Sequence, residues 1–132
     1  MLSAATCTAA TNAKGPWAFN NGFSIMPADA NKTYQTGTDG IKYSAGTQYT
    51  ITLPVGVSIK YVVISGYDNY ADADSYLAEL NGKEYGATEY VFPQKTADGK
   101  TVSTSKSITL ADAATNTITF SPQGKQVVWT IR

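Results

Sequence analysis

The sequence predicts an all-β domain, an antiparallel β-sandwich of the jelly-roll or immunoglobulin-like kind with about nine or ten short strands. Three observations support this fold class. Apolar and polar residues alternate in several short stretches, which is the period of a strand with one buried face. Turn-forming pairs separate these stretches, and no window of useful length has apolar residues at helical spacing. A closed barrel is the alternative that the same pattern allows.

The chain of 132 residues is predicted to form one domain. Residues 1–14 are rich in Ala, Thr, Ser and Asn, and we expect them to form a flexible N-terminal tail or linker that packs little. Residues 15–132 would then form a single β-sandwich domain, which begins at the turn signal Gly15-Pro16. The single cysteine, Cys7, excludes a disulfide within the chain, but a domain of this length closes a core without one.

The first half of the chain is predicted to contain a bulged or broken strand, two short strands around a turn, and one clear strand. The expected boundaries are Trp17 to Ile25, Lys32 to Gln35, Gly40 to Ser44 and Gln48 to Leu53. In the last of these, Tyr49, Ile51 and Leu53 share one face, which we expect to be buried. The next strand, Ile59 to Ser65, is apolar on both faces. We therefore expect it to be central and covered on both sides, with Tyr61 on a core face.

The second half is predicted to continue with short strands that turns separate. Asn81-Gly82 is a strong hairpin signal between Ser75 to Leu80 and Lys83 to Tyr85, because both turn residues tolerate the positive φ of a type I′ turn. Asp98-Gly99 marks a second turn. The remaining predicted strands, the last with Trp129 in the core, are Tyr90 to Phe92, Lys106 to Leu110, Thr117 to Ser121 and Gln126 to Ile131.

Composition argues against several classes of function. The chain has no histidine, which removes the commonest general base and metal ligand, and its one cysteine excludes a thiolate zinc site. Ten basic residues balance ten acidic ones, so no global field would attract nucleic acid. No stretch approaches the ~20 apolar residues of a membrane span. We therefore predict a protein that is not an enzyme and that binds neither nucleic acid nor a membrane. A small hydrolase or lyase with paired carboxylates is the least favoured hypothesis.

The stretch GYDNYADAD, from Gly66 to Asp74, runs from the apolar strand into a polar, aromatic loop and is the first candidate for a site. Its aspartates have part of the spacing of a calcium loop. However, Tyr70 occupies a ligand position, and Ala73 stands where glycine is needed for the sharp turn. The favoured interpretation is a solvated loop whose Asp and Asn side chains cap backbone N–H groups. We predict no cofactor, with a structural calcium ion as the less favoured alternative.

The same loop and the strand after it carry the mixture of side chains that carbohydrate recognition requires. Aromatic rings stack on the C–H face of a sugar, while carboxylates, amides and ammonium groups bind its hydroxyls or a uronate carboxylate. The candidate stacking residues are Tyr67, Tyr70 and Tyr76. The candidate hydrogen-bonding residues are Asp68, Asn69, Asp72 and Asp74, joined by Lys125 and Gln126 if their turn meets the loop at one end of the sandwich. The alternative is that these tyrosines only cover sheet edges.

Three blocks in order, YTITLPVGVSI, GYDNYADADSYLAELNG and ITFSPQGKQVVWTI, carry a resemblance that covers roughly Phe23 to Ile131. The chain is similar to the β-sandwich accessory modules attached to secreted plant-polysaccharide enzymes of Bacteroidetes-type bacteria, pectate-lyase-like proteins among them. The resemblance implies a non-catalytic carbohydrate-binding module, secreted or at the bacterial cell surface. It also implies a ligand of the pectin or hemicellulose class and a parent enzyme catalytic domain in the same full-length chain. It transfers no set of binding residues.

The sequence therefore leads to two principal hypotheses. In the first, the protein is a monomeric carbohydrate-binding module that holds an enzyme near plant cell-wall polysaccharide. In the second, it is a structural immunoglobulin-like spacer or adhesin domain without a small ligand. The second hypothesis predicts that the tyrosines of the loop region are scattered or half-buried and form no platform.

Overall fold

The computed structural model describes residues 1–38, 40–69, 74–94 and 103–132. Over these residues the chain forms two antiparallel sheets, which confirms the predicted all-β class and is consistent with a β-sandwich. The strands of the first half are β1 (Trp17–Ala18), β2 (Ser24–Pro27), β3 (Thr36–Gly37), β4 (Gly40–Tyr43), β5 (Tyr49–Thr52) and β6 (Ile59–Asp68). Those of the second half are β7 (Ser75–Leu80), β8 (Lys83–Glu84), β9 (Val91–Phe92), β10 (Thr104–Ala114), β11 (Thr117–Gln123) and β12 (Val127–Ile131).

The described residues form twelve strands rather than nine or ten. A seven-stranded sheet has the order β1-β2-β5-β11-β7-β8, with β9 also paired to β7. A five-stranded sheet has the order β10-β6-β12-β4-β3. The number is higher because the single strand predicted from Trp17 to Ile25 is divided into β1 and β2. The short strands β8 and β9 lie within the segments predicted as strands.

Aromatic side chains fill much of the space between the two sheets. Tyr43 of β4 meets Phe120 of β11 edge to face, with ring centroids 5.1 Å apart, and Tyr49 of β5 stacks on Phe120 at 5.3 Å. Trp129 of β12 is fully buried and contacts Phe92 at 4.8 Å. Each such pair contributes about 0.5–1.5 kcal/mol beyond the burial of its area. The core faces predicted for β5 and β12 are confirmed.

Strand β6 is an interior strand of the five-stranded sheet, paired with β10 on one side and β12 on the other, in agreement with the predicted central position. Val62 and Ile64 face the core, whereas Tyr61 is 64% exposed. The prediction that this strand is covered on both sides, with Tyr61 on a core face, is therefore wrong at this position. Alternation separates the two faces of a strand but does not say how far each is covered, and at Tyr61 the outer face is open. Farther along the same face Tyr67 is buried, and its hydroxyl donates to the carbonyl oxygen of Thr38.

Residues 1–14 pack against the sandwich, in contrast to the flexible tail expected from their composition. Leu2 is buried, and its backbone N–H and C=O pair with Ile131 at 2.6 and 3.2 Å. Farther along, Cys7 forms a β-bridge with Phe19. Composition did not reveal this packing because backbone pairing and a single apolar anchor suffice to hold a segment of small residues.

The predicted hairpin at Asn81-Gly82 is confirmed. Both residues have positive φ, 51° and 89°, and Leu80 of β7 pairs with Lys83 of β8. The turn predicted at Asp98-Gly99 lies outside the described residues. Among the residues that the structure describes, none forms a helix long and apolar enough to cross a membrane.

Candidate functional site

The end of β6 and the turn before β12 meet at one end of the sandwich. Asp68, the last residue of β6, is fully buried. Its carboxylate accepts hydrogen bonds from the backbone N–H of Lys125 at 2.9 Å and from that of Gln126 at 3.2 Å. A buried carboxylate is costly unless such donors solvate it, and a carboxylate anchor of this kind fixes the donors in turn. The expectation that Lys125 and Gln126 meet the loop is therefore met, and Asp68 is the residue that holds them.

Glycine is required next to this anchor. Gly124 has φ of 142°, a conformation that residues with a side chain rarely adopt. A Cβ atom at this position would lie 2.5 Å from Oδ2 of Asp68 and 2.8 Å from Cβ of Ser75. The backbone of the turn approaches the carboxylate so closely only because no side chain intervenes.

Asn69 continues the same connection. Its backbone N–H donates to the carbonyl oxygen of Gln126 at 2.8 Å, and its side-chain amide donates to Oε1 of Gln126. Both the backbone and the side chain of Gln126 are therefore held by the residue that follows β6. The orientation of Gln126 is fixed before any ligand arrives.

The other predicted site residues are placed less favourably for a shared platform. Tyr67 is buried, and its hydroxyl donates to the carbonyl oxygen of Thr38 at 2.8 Å, so its ring offers no face to a sugar. Tyr76 is half-buried on β7, which belongs to the other sheet. Asp74 is exposed and accepts a hydrogen bond from the backbone N–H of Gln94 at 3.1 Å. Tyr70 and Asp72 lie outside the described residues.

A polar cavity of about 290 Å³ lies beside the turn that Asp68 holds. We call it the lysine pocket, because three of the residues that line it are Lys32, Lys42 and Lys125. The rest of its polar lining consists of Asn31, Thr33, Gln35, Ser44 and Gln126, together with Tyr43. Ammonium groups, amides and hydroxyls thus converge on one concavity. The sequence pointed to Lys125 and Gln126 but not to the other lining residues.

Three separate segments bring the lysines together. Lys42 points away from the core, because its neighbours Ile41 and Tyr43 on β4 are buried and the strand alternates. Lys32 lies in the segment that leads into β3, and Lys125 lies in the turn before β12. No spacing in the sequence reveals this convergence, because it depends on the pairing of β4 with β12.

The electrostatic character of the lysine pocket is cationic. Among the described residues that line it, none is Asp or Glu. The carboxylate of Asp29 accepts the backbone N–H of Asn31 at 2.9 Å, which is the hydrogen bond of an Asx turn. A concave surface with charges of one sign concentrates its field even when the net charge of the protein is zero.

A second surface is the outer face of the five-stranded sheet, the face that points away from the core. The exposed ring of Tyr61 lies there, paired across the strands with Thr109 of β10. Farther along the same face, the hydroxyls of Ser65 and Ser105 are 2.7 Å apart. Arg132 shares a shallow cavity of about 520 Å³ with Tyr61. This surface was not predicted from the sequence, because Tyr61 was expected to lie in the core.

The described carboxylates bear on the calcium ion that the sequence left as an alternative. Among the described residues, no group of three or more His, Cys, Asp or Glu could hold a metal ion. Glu79 accepts hydrogen bonds from the hydroxyls of Thr119 at 2.6 Å and Ser121 at 2.8 Å, and from the backbone N–H of Gly82 at 2.8 Å. Desolvation would raise the pKa of Glu79, but these bonds and one from Gln48 together lower it. A carboxylate held ionised by four donors is a structural link between β7 and β11.

Similarity to known proteins adds nothing to this geometry. Comparison of the chain with protein-family models, with curated proteins and with solved structures finds no match. A function for this protein therefore has to be inferred from its own residues and their arrangement.

Proposed function

We propose that this protein is a non-catalytic carbohydrate-binding module for plant cell-wall polysaccharide of the pectin or hemicellulose class. The observation that carries the proposal is the lysine pocket, a concavity whose described lining is almost wholly polar. Its volume of about 290 Å³ is at the lower end of the range for small-ligand sites. We further propose a jelly-roll or immunoglobulin-like sandwich that acts as a secreted or cell-surface monomer. In this proposal the parent enzyme catalytic domain is part of the same full-length chain.

The chemistry of the lining matches that of a sugar. A sugar ring presents hydroxyls that both donate and accept hydrogen bonds, and amide side chains such as those of Gln35 and Gln126 can do the same. Gln126 is already oriented by Asn69, so little conformational entropy is lost when it binds. Preorganised polar groups of this kind give specificity without a catalytic group.

Aromatic stacking would come from residues other than Tyr67, which is buried. Tyr61 has the most exposed ring among the described tyrosines of β6 and β7, and Tyr76 is half-buried. Tyr70 and Asp72 remain in the proposal as loop residues, and Asp74 as an exposed one. The polysaccharide would then contact the lysine pocket with its polar groups and one of these rings with a C–H face.

Affinity electrophoresis of the whole chain against pectin, xylan and xyloglucan tests the proposal. We expect retardation by at least one of these glycans. Tyr61→Ala and Tyr76→Ala, made separately, would identify the stacking ring by a loss of about threefold to tenfold in affinity. Val55→Ala is a matched control, because Val55 is fully exposed in a different turn. Absence of retardation on every glycan would refute the proposal.

The structural spacer or adhesin domain is the second candidate function, and one observation favours it. Tyr67 is buried and Tyr76 is half-buried on a different sheet, so these two rings form no common platform. A spacer would show no retardation on any glycan while keeping a cooperative thermal unfolding transition. The same electrophoresis series therefore separates the two functions.

A further inference from the structure

The lysine pocket has a charge pattern that goes beyond general sugar binding. Lys32, Lys42 and Lys125 enter it from three different segments, and its described lining contains no carboxylate. Lys32 and Lys42 are both half-buried, as expected of lysines whose aliphatic stems pack against the protein while their ammonium groups stay in water. Cationic groups that share a concavity raise its positive potential, which favours the entry of an anion.

We propose that the lysine pocket binds an anionic glycan and that the anion is the carboxylate of a uronate residue. This inference rests on the proposed carbohydrate binding and names its ligand class. Lysines recognise a carboxylate as point charges, without the two-pronged geometry of arginine, so three of them suit a carboxylate on a flexible chain. The amides and hydroxyls beside them would bind the ring hydroxyls, which a simple inorganic anion lacks.

The fold explains the position of Lys125. The carboxylate of Asp68 holds the backbone N–H groups of Lys125 and Gln126, and so fixes the turn that forms one wall of the pocket. The carboxylate is fully buried under this turn, so it anchors the wall without lying on the surface that a ligand meets. The protein thus places an acidic group behind the wall and basic groups on its open side.

A neutral glycan would use the same amides and hydroxyls but would gain nothing from the lysines. Binding of a uronate should therefore weaken as salt is added, because surface charges are screened over about 10 Å at 0.1 M salt. Binding of a neutral glycan should not depend on salt in this way. Esterification of the uronate carboxylate should lower the affinity and its dependence on salt, as removal of the lysines should.

The test is titration of the whole chain with polygalacturonate, its fully methyl-esterified form, neutral xylan and a sulfated polysaccharide, at low and at high salt. We expect polygalacturonate to bind at least tenfold more tightly than its methyl ester. Lys32→Gln with Lys42→Gln should lower the affinity for polygalacturonate about tenfold. Lys83→Gln with Lys106→Gln removes the same charge from residues outside the pocket and should leave affinity nearly unchanged.

The outcomes separate this inference from the proposed function. Equal binding of polygalacturonate and its methyl ester, or equal loss in the two double variants, would overturn the uronate assignment while the carbohydrate function stands. Binding of the sulfated polysaccharide alone would overturn it as well. Binding of no glycan at all would refute the proposed function, and the uronate assignment would fall with it. Thermal unfolding of each variant identifies any loss of affinity that comes from a loss of folding.

Discussion

Replacement of Asp68 by asparagine should destabilise the protein more than its small change in shape implies. Asn keeps one acceptor oxygen but puts an NH₂ group where the second carboxylate oxygen stands. The backbone N–H groups of Lys125 and Gln126 would then share the one oxygen that remains, at 2.9 and 3.2 Å if it stands in the place of Oδ2. The NH₂ group would take the place of Oδ1, 3.2 Å from the backbone nitrogen of Gln126, so one donor would face another. Hydrogen bonds to a charged group contribute about 1.5–3 kcal/mol, and a buried donor left unpaired costs about 1–3 kcal/mol.

These two contributions predict that Asp68→Asn lowers the free energy of unfolding by about 2–4 kcal/mol. Urea denaturation is a suitable assay, because a loss of this size shifts the midpoint by about 1–2 M when the slope is about 2 kcal/mol per M. Asp112→Asn is the matched control, since it makes the same chemical change at an exposed residue. A difference between the two variants of less than about 0.5 kcal/mol would refute the role assigned to Asp68.

Four other predictions follow from the same structure. Gly124→Ala should cost about 2–4 kcal/mol in unfolding free energy, because the added Cβ meets the Asp68 carboxylate and φ is positive; a change below 1 kcal/mol would contradict the geometry. Because folding lowers the pKa of Glu79 from 4.5, its contribution is full above that pH and is lost as the pH falls through the folded pKa. The stability difference between the wild type and Glu79→Gln should therefore be constant above about pH 5.5 and shrink below pH 4.5, and a difference that grows toward acid would be evidence against this account. Tyr43→Phe should leave the free energy of unfolding unchanged or raise it by up to about 1–2 kcal/mol, because the buried hydroxyl has no hydrogen-bond partner among the described residues. A clear fall in the free energy of unfolding, measured by denaturation, would show that the hydroxyl has a partner. EDTA should leave the melting temperature unchanged, and a fall would restore the calcium alternative.

The sequence predicted what alternation and turn chemistry determine locally. The buried face of Tyr49, Ile51 and Leu53 and the hairpin at Asn81-Gly82 were both predicted, because each depends on neighbouring residues only. The exposure of Tyr61 was not predicted. A strand with two apolar faces does not reveal which face receives a second layer of protein, and that depends on where the rest of the chain lies.

The candidate site was predictable only in part. The sequence pointed to Lys125 and Gln126, and to Asp68 as a neighbour, but it gave Asp68 a ligand contact where the structure gives it a structural role. Lys32 and Lys42 carry no signal in the sequence, because the pairing of β4 with β12 brings distant segments together. A convergence of this kind can be read from the topology but not from spacing.

The pairing of Leu2 with Ile131 places the beginning and the end of the described sandwich side by side. Ile131 is at one end of β12, and Gln126, which lines the lysine pocket, immediately precedes the other end, about 16 Å away along the strand. A tether attached next to Leu2 or next to Ile131 would leave the sandwich at the end opposite the pocket. The pocket would then face outward from whatever the tether carries. A short linker between the two ends would also permit circular permutation, with new ends opened in an exposed turn.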